Sequence, residues 1–203
     1  MLDQLITALL LDEDQARYAR QLLAGPRLRM TAASTGSGVP EQIRRLLVRF
    51  GDLPALVVGP RTSILAWNDA AIRMFVDFAE IPAQRRTYAD LLFDNALFQS
   101  RFRDLGAMQD VVVGVLRSTA TDALADGAHV DPMQELVERN AAFRARWHRF
   151  TVAQPREQLK IPFRDPRDGD IEIDQIVLML DDPSQRLLVF IRSSDAADPQ
   201  NDR

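Results

Sequence analysis

The sequence is that of an acidic globular protein that contains no cysteine. It has 203 residues, 46% of them hydrophobic and 27% charged, and a formal net charge of −4. This composition excludes a disulfide framework, a thiolate metal site and a cysteine nucleophile, and it provides no basic stripe for nucleic acid. No apolar run approaches the roughly 20 residues of a membrane helix, and no signal peptide opens the chain, so we expect a cytoplasmic protein without membrane contacts.

The N-terminal segment is predicted to be a small helical piece followed by a linker. Apolar residues recur at helical spacing over residues 1–24, where Asp12 and Gln15 have the spacing of a helix start. This segment is too short to bury its own apolar face. Residues 25–40 contain the run TAASTGSGVP, and their small, glycine-rich composition is typical of a flexible linker.

After the linker, the pattern predicts a helix, a β-hairpin and a second helix. Residues 41–50 are amphipathic and end at a glycine. Two short apolar runs, 55–58 and 63–67, are joined by a Gly-Pro turn, which favours a hairpin. Asn68 follows directly and is a good N-cap for a helix over residues 69–78.

The middle of the chain is predicted to be helical. Helical periodicity occurs over residues 88–93, 96–102 and 105–117. A longer helix is predicted from Asp131 to Trp147, because an aspartate followed by proline is a strong helix start.

The last part of the chain has the periodicity of strands. Residues 158–163, 170–180 and 185–193 are separated by turns rich in Asp, Pro and Gly, so they predict an antiparallel meander. In the second of these strands, acids predicted to face water alternate with isoleucines predicted to face the core: Asp170, Ile171, Glu172, Ile173 and Asp174. Residues 196–203 are polar, and we expect a disordered tail.

This order of elements predicts an α+β domain over residues 41–195. A PAS-like, five-stranded antiparallel sheet, with helices inserted after the second strand and packed on one face, is the simplest arrangement. Such a layout leaves room for a small-molecule cavity between sheet and helices.

Catalytic or metal-binding motifs are absent from the sequence. The two histidines, His129 and His148, have no ligand partners at helical spacing, and no HExxH, GxSxG, Walker A or GxGxxG pattern occurs. The acids between Asp165 and Asp174 lack the spacing of a calcium loop and are typical of turns and a strand face. We therefore expect no enzyme activity, no metal and no cofactor.

Several stretches resemble one family of regulatory domains. The segment 54–78, through Pro54-Ala55, Leu65-Ala66-Trp67-Asn68 and Phe75, resembles the signature of the MmyB-like ligand-binding domain. That domain follows Xre-type helix-turn-helix modules in bacterial transcription regulators. Further similar stretches occur in the same order, over about residues 41–195: Arg86 with Leu91-Leu92-Phe93, Leu116-Arg117, Phe143 with Trp147 and Val152, Asp165-Pro166 with Gly169 and Ile173-Asp174, and Gln185-Arg186-Leu187.

Residues 1–24 resemble the closing helices of the Xre-type module. Its recognition helix has no counterpart in this sequence. We therefore expect DNA contact only through a helix-turn-helix module that the chain lacks.

The resemblance implies a PAS-like domain that binds a small apolar effector, with a long-chain fatty acid as the expected ligand, in a homodimer. Arg86 and Arg117 are candidate partners for a carboxylate head group, because a guanidinium matches a carboxylate in bidentate fashion. Each of them is alternatively a surface ion-pair residue. The residues expected to contact the ligand are Trp67, Asn68, Phe75, Phe78, Arg86, Leu92, Phe93, Val112, Leu116, Arg117, Phe143 and Trp147.

Two alternatives stay open at this point. The same fold could serve as an interaction or dimerisation module whose cavity is filled by its own aromatics, and Phe150, at a position where the family has histidine, favours this. An unrecognised hydrolase or isomerase would rest on the acid cluster alone.

Overall fold

The computed structural model describes residues 15–16, 38–125, 134–149 and 158–193. The predictions for the first helical segment, most of the linker, the Asp131 helix start and the tail lie outside these residues. The described residues fall into two compact units. We call residues 38–108 with 158–193 the sheet unit, and residues 15–16, 109–125 and 134–149 the helical unit.

The sheet unit contains a five-stranded antiparallel sheet in the order β2-β1-β5-β4-β3. Its strands are β1 (Ala55–Val58), β2 (Ile64–Trp67), β3 (Gln158–Asp165), β4 (Gly169–Met179) and β5 (Arg186–Arg192). The first hairpin joins β1 and β2, and the C-terminal meander joins β3, β4 and β5. The predicted α+β, PAS-like sheet is therefore confirmed.

The described residues form seven α-helices. They are α1 (Glu41–Arg49), α2 (Asp69–Met74), α3 (Tyr88–Asp94), α4 (Ala96–Gln99), α5 (Leu105–Ala125), α6 (Gln134–Arg139) and α7 (Ala141–Trp147). Short 3₁₀ turns cover Pro60–Thr62, Phe78–Glu80 and Ala83–Arg85. The boundary between the two units falls within α5.

Helices of the sheet unit cover both faces of the sheet. Alternate residues of a strand point to opposite faces. Val189 of β5 belongs to a core cluster with Leu47 of α1. The next residue, Phe190, packs against Phe75, which directly follows α2, with ring centroids 4.9 Å apart. The elements that follow the second strand thus pack on one face, as predicted, and α1 covers the other.

Helix α2 is shorter than predicted and ends at Met74 instead of Phe78. The backbone of Phe75 leaves the helical region, with φ −108° and ψ −90°. Two residues later the Asp77 side chain accepts a hydrogen bond of 2.9 Å from the Ala79 amide and starts a separate turn. A side chain that caps a new turn competes with continuation of the helix, which periodicity alone does not reveal.

Helix α4 ends at Gln99, although helical spacing predicts a helix through Phe102. The chain here joins the edge of β3: the Arg103 amide donates to the Pro162 carbonyl at 3.1 Å, and the Arg164 amide donates to the Arg101 carbonyl at 2.7 Å. Strand-like pairing with a distant segment therefore overrides the local helical preference.

The single helix predicted up to Trp147 is two helices, α6 and α7. Asn140 separates them with an extended backbone, φ −117° and ψ 110°, and its side chain accepts a hydrogen bond of 2.9 Å from the Phe143 amide. Asparagine is among the best N-caps, so it begins a new helix here. In contrast, α5 is longer than the predicted 105–117 and continues to Ala125.

Asp174 is buried, whereas strand alternation predicts that it faces water. Only 5% of its surface is exposed, while Asp170 and Glu172 are exposed as predicted. Alternation assigns a residue to a face of the sheet. Whether other parts of the chain cover that face at a given point cannot be predicted from alternation. The alternation of β4 is therefore predicted correctly, whereas the exposure of Asp174 is predicted wrongly.

Candidate ligand-binding site

Asn68 is a structural joint of the sheet unit. Its side-chain oxygen accepts hydrogen bonds from the amides of Ala55 at 3.1 Å and Ala71 at 3.0 Å. Its side-chain nitrogen donates to the carbonyls of Leu53 at 2.8 Å and Leu47 at 3.2 Å. An amide side chain has two acceptor and two donor positions, so these four bonds fill all of them. Asn68 holds α1, β1 and α2 together and has no polar position left for a ligand.

Arg86 and Trp67 lie against each other in the sheet unit, and we call them the first arginine–tryptophan pair. Phe78 lies on the same tryptophan. The Trp67 and Phe78 ring centroids are 5.4 Å apart, and the guanidinium carbon of Arg86 lies 5.1 Å from the Trp67 ring centroid. The guanidinium donates twice to the Ile81 carbonyl, at 2.8 and 3.2 Å. Among the described residues, no carboxylate forms an ion pair with Arg86. A fixed cation therefore lies beside an apolar aromatic surface.

Phe75 lies in the middle of a phenylalanine cluster between the sheet and its helices. Its ring centroid is 4.9 to 6.3 Å from those of Phe190, Phe98, Phe163 and Phe102. Every member of this cluster is at least 95% buried. Phe75 is thus a central core residue, and the space around it is filled by side chains of the chain itself.

Leu92 and Phe93 are buried residues of α3. This helix is held beside the first hairpin by two contacts. The Ala89 amide donates to the Thr62 hydroxyl at 3.3 Å, and Ser63 and Thr87 form an isolated antiparallel β-bridge. The structure therefore places Leu92 and Phe93 in the core of the sheet unit.

Arg117, Phe143 and Trp147 form a second group, in the helical unit. The guanidinium carbon of Arg117 lies 4.8 Å from the Trp147 ring centroid, and the Phe143 and Trp147 rings are stacked with centroids 5.6 Å apart. Arg117 is buried, with 8% of its surface exposed. An ion pair of 2.9 Å between Arg146 and Asp110 ties α7 to α5. We call Arg117 and Trp147 the second arginine–tryptophan pair.

Val112 and Leu116 are the remaining predicted contacts. Both are buried residues of α5 in the helical unit. Of the predicted residues, seven belong to the sheet unit and five to the helical unit. Phe78 and Arg86 lie against Trp67, and Phe143 and Arg117 lie against Trp147. Contact of the predicted residues with a ligand stays a prediction.

Tyr88 is a polar side chain that sequence patterns did not single out. It is buried in α3, edge-on to Phe98 with ring centroids 5.3 Å apart. Its hydroxyl makes no hydrogen bond within the described parts of the chain, and burial raises its pKa well above the ordinary range. The sequence signal is a tyrosine at the first position of a helix whose other buried residues are all apolar.

A slot with a volume of about 250 Å³ lies between the sheet and α2, within the sheet unit. We define it by Ile171, Ile173 and Phe190 on the sheet and by Ala70 and Met74 on the helix. None of the predicted ligand contacts lines it. Its residues come from distant segments of the chain, and periodicity gives no sign that those segments meet.

The predicted turn role of the acid cluster agrees with its contacts. Asp165 accepts hydrogen bonds from the amides of Arg167 at 2.7 Å and Asp168 at 3.1 Å, which closes the β3–β4 turn. Asp170 and Glu172 pair with basic residues on the neighbouring strand, at 3.2 and 3.5 Å. Among the described residues, no group of three His, Asp or Glu is arranged to hold a metal ion.

The sheet unit thus belongs to the α+β class of PAS-like domains, with helices on the five-stranded sheet and aromatic side chains packed between them. Residues 39–203 match the family model of the MmyB-like transcription regulator ligand binding domain, and the chain belongs to this family. The family consists of regulatory ligand-binding domains, which are not enzymes in general. A search of curated proteins finds no significant match. None of the described helices is long and apolar enough to cross a membrane.

Proposed function

We propose that this domain is the effector-binding part of a bacterial helix-turn-helix transcription regulator, and that its effector is a long-chain fatty acid whose binding modulates DNA binding. The observation that carries the proposal is the first arginine–tryptophan pair. Arg86 is held by a backbone carbonyl, lies on an aromatic ring, and has no carboxylate partner among the described residues. A carboxylate head group supplies that partner.

The energetics of a fatty acid suit a domain of this kind. Each buried methylene contributes about 0.8 kcal/mol, so a dozen give roughly 10 kcal/mol before the loss of ligand freedom is subtracted. A charge-assisted hydrogen bond to arginine adds about 1.5 to 3 kcal/mol and fixes the orientation of the head group. Apolar burial therefore provides the affinity, and Arg86 provides the preference for an acid.

The regulatory part of the proposal concerns the rest of the protein. Residues 1–24 are proposed to be the end of a helix-turn-helix module, joined through residues 25–40 to a ligand-binding domain that forms a homodimer. The fatty acid then acts by favouring one arrangement of the attached DNA-binding modules. Its effect on DNA affinity is limited to its difference in affinity for the two arrangements.

The proposal predicts that palmitate binds and that binding depends on Arg86. Palmitate at about 100 times its Kd should stabilise the fold by about 2.7 kcal/mol, measured by thermal unfolding. Hexadecanol, which has the chain without the carboxylate, should bind at least about tenfold more weakly. Arg86→Gln should lose about the same factor for palmitate and show no change for hexadecanol.

Arg45→Gln is the matched control, because Arg45 is an exposed residue of α1 that pairs only with Glu41 among the described residues. It should bind palmitate like the unaltered protein. Mass spectrometry of freshly purified, denatured protein should also detect a co-purified lipid. If no lipid is detected and no fatty acid raises the unfolding temperature, the effector proposal is wrong.

The phenylalanine cluster supports a second candidate, an interaction or dimerisation module without a physiological ligand. The rings around Phe75 occupy the space between sheet and helices where a PAS-like domain would hold a ligand. Because both candidates allow a dimer, light scattering has to be combined with lipid analysis and palmitate titration to distinguish the two functions. A lipid-free protein that is a stable dimer at micromolar concentration, and that binds no fatty acid, would favour the second candidate.

A further inference from the structure

The slot between the sheet and α2 has an apolar floor. Ile171, Ile173 and Phe190 form the sheet side, and Ala70 and Met74 form the helix side. Its volume is about 250 Å³. A side chain the size of leucine or phenylalanine fits this space, whereas the whole chain of a long fatty acid exceeds it.

The rim of the slot carries ion pairs on two sides. On the helix side, Arg73 pairs with Asp52 at 2.9 Å. On the sheet side, Arg192 forms ion pairs with Asp168 and, at 3.8 Å, with Asp165. With Arg167, the charged residues around the slot are three arginines and three aspartates. The rim is therefore balanced in charge and offers both signs to a ligand.

Two of the rim charges lie at or next to the end of a strand. Arg192 is the last residue of β5 and lies opposite Ile173 of β4. Asp168 follows the Asp165 turn and precedes Gly169, whose φ of +75° reverses the chain into β4. The backbone positions of both residues therefore follow from the β3–β4 hairpin and the sheet register, which lowers the cost of ordering the site on binding.

We propose that the slot binds a free α-amino acid with an apolar side chain. The α-carboxylate accepts hydrogen bonds from an arginine of the rim, the α-ammonium donates to an aspartate, and the side chain lies on the floor. A ligand with only a carboxylate would satisfy Arg192 and leave Asp168 without its cation. A zwitterion gives each a new partner, so the exchange keeps the charge balance of the rim.

This inference does not rest on the fatty-acid proposal. The two proposals use different residues, and the slot is too small for the long acyl chain. Failure of palmitate to bind leaves the slot proposal standing, and failure of amino acids to bind leaves the Arg86 proposal standing.

Isothermal titration with L-leucine, L-phenylalanine and glycine tests the proposal on the full chain. L-Leucine and L-phenylalanine should bind. Glycine should bind at least about tenfold more weakly, because it has no apolar side chain to contact the floor of the slot. N-Acetyl-leucine lacks the ammonium and leucinamide lacks the carboxylate. Each should lose at least about tenfold in affinity. Equal binding of either analogue, or no binding of leucine and phenylalanine, would overturn the proposal.

Substitutions in the rim locate the binding. Arg192→Gln and Asp168→Asn should each weaken leucine binding at least about tenfold. Asp168 is half-exposed, so Asp168→Asn is expected to keep the fold even if Arg192→Gln does not. Arg164→Gln removes an exposed arginine of β3 that lies outside the slot, and it serves as the control with unchanged binding. Unchanged affinity in Asp168→Asn would place the amino acid elsewhere and overturn the proposal.

Discussion

At the scale of single residues, Asn68 shows how one polar side chain can organise several elements. It caps α2 through the Ala71 amide, and it also receives the Ala55 amide at the start of β1 and binds two carbonyls near the end of α1. An ordinary N-cap makes only the first of these bonds. In the Trp67-Asn68 signature, Asn68 is therefore a structural residue, whereas Trp67 contacts Phe78 and Arg86.

Replacing Asn68 with alanine should cost about 3 kcal/mol or more in the free energy of unfolding. The Ala71 amide keeps its bond of 3.1 Å to the Asn68 backbone carbonyl, but the Ala55 amide and the carbonyls of Leu47 and Leu53 lose the side chain that binds them. A buried unsatisfied polar group costs about 1 to 3 kcal/mol. Urea denaturation measures the loss. The control is Asn95→Ala, since the Asn95 side chain caps α4 through the Phe98 amide alone, and loss of an ordinary cap costs about 1 kcal/mol. Equal losses in the two variants would show that Asn68 acts only as a cap.

The two arginine–tryptophan pairs also belong to this scale. Arg86 lies on Trp67 and Arg117 on Trp147, at 5.1 and 4.8 Å from the ring centroids. All four residues are predicted from the sequence as ligand contacts, but the contact of each arginine with a tryptophan is seen only in the structure. Spacing cannot reveal this, because the members of each pair are about 20 to 30 residues apart and meet only after folding.

At the scale of elements, the β3–β4 hairpin links the fold to the slot. Its turn depends on Asp165, whose side chain accepts from two turn amides, and on Gly169 at φ +75°. A left-handed backbone costs a residue with a side chain about 1 to 2 kcal/mol, although space itself is available at Gly169. Both turn residues were visible in the sequence, which is why the hairpin was predicted correctly.

Gly169→Ala should therefore destabilise the protein by about 1 kcal/mol and weaken leucine binding at the slot, because Asp168 directly precedes the turn position. Thermal unfolding measures the first effect and titration with L-leucine the second. Asn95→Ala is the matched control: it removes the cap of α4, which also costs about 1 kcal/mol, and neither Asn95 nor its neighbours line the slot. It should show the same loss of stability and no loss of binding. A similar loss of leucine affinity in both variants would mean that the hairpin does not position the rim.

The errors in element prediction have a common physical origin. Helices α2 and α4 end early and the helix before Trp147 is divided, in each case because a hydrogen bond competes with the helix. Asp77 and Asn140 make local bonds that their residue types made conceivable. The bonds of Arg101 and Arg103 to the edge of β3 join segments about 60 residues apart, and no local pattern contains that information.

At the scale of the whole molecule, the family and the sheet could be predicted from the sequence, but the slot could not. The order of strands and helices was sufficient for a PAS-like fold, and the motifs after Pro54 were sufficient for the family. The slot combines α2, the β3–β4 turn and β5, and its charged residues look like ordinary turn and surface residues in the sequence. A binding site built from ion pairs of distant segments becomes visible only in three dimensions.

The overall charge leads to a prediction about DNA. The chain has 25 basic against 29 acidic residues, and many described arginines are paired with carboxylates, among them Arg45, Arg73, Arg103, Arg146 and Arg164. Paired cations on an acidic protein attract few phosphates, and non-specific affinity comes from released counterions. Fluorescence anisotropy at about 0.15 M salt should therefore detect no binding of a random duplex up to ~100 μM protein, with or without palmitate.

The anisotropy measurement, together with the unfolding temperature, distinguishes two ways in which the regulator could act. If the ligand-binding domain itself contacted DNA, the chain would bind the duplex with a Kd in the micromolar range, and affinity would fall steeply as salt increases. If the domain acts through an attached DNA-binding module, palmitate changes the unfolding temperature of this chain without creating any affinity for DNA. The charge distribution favours the second outcome, because the net charge is negative and many of the arginines already have a carboxylate partner with which a phosphate would compete.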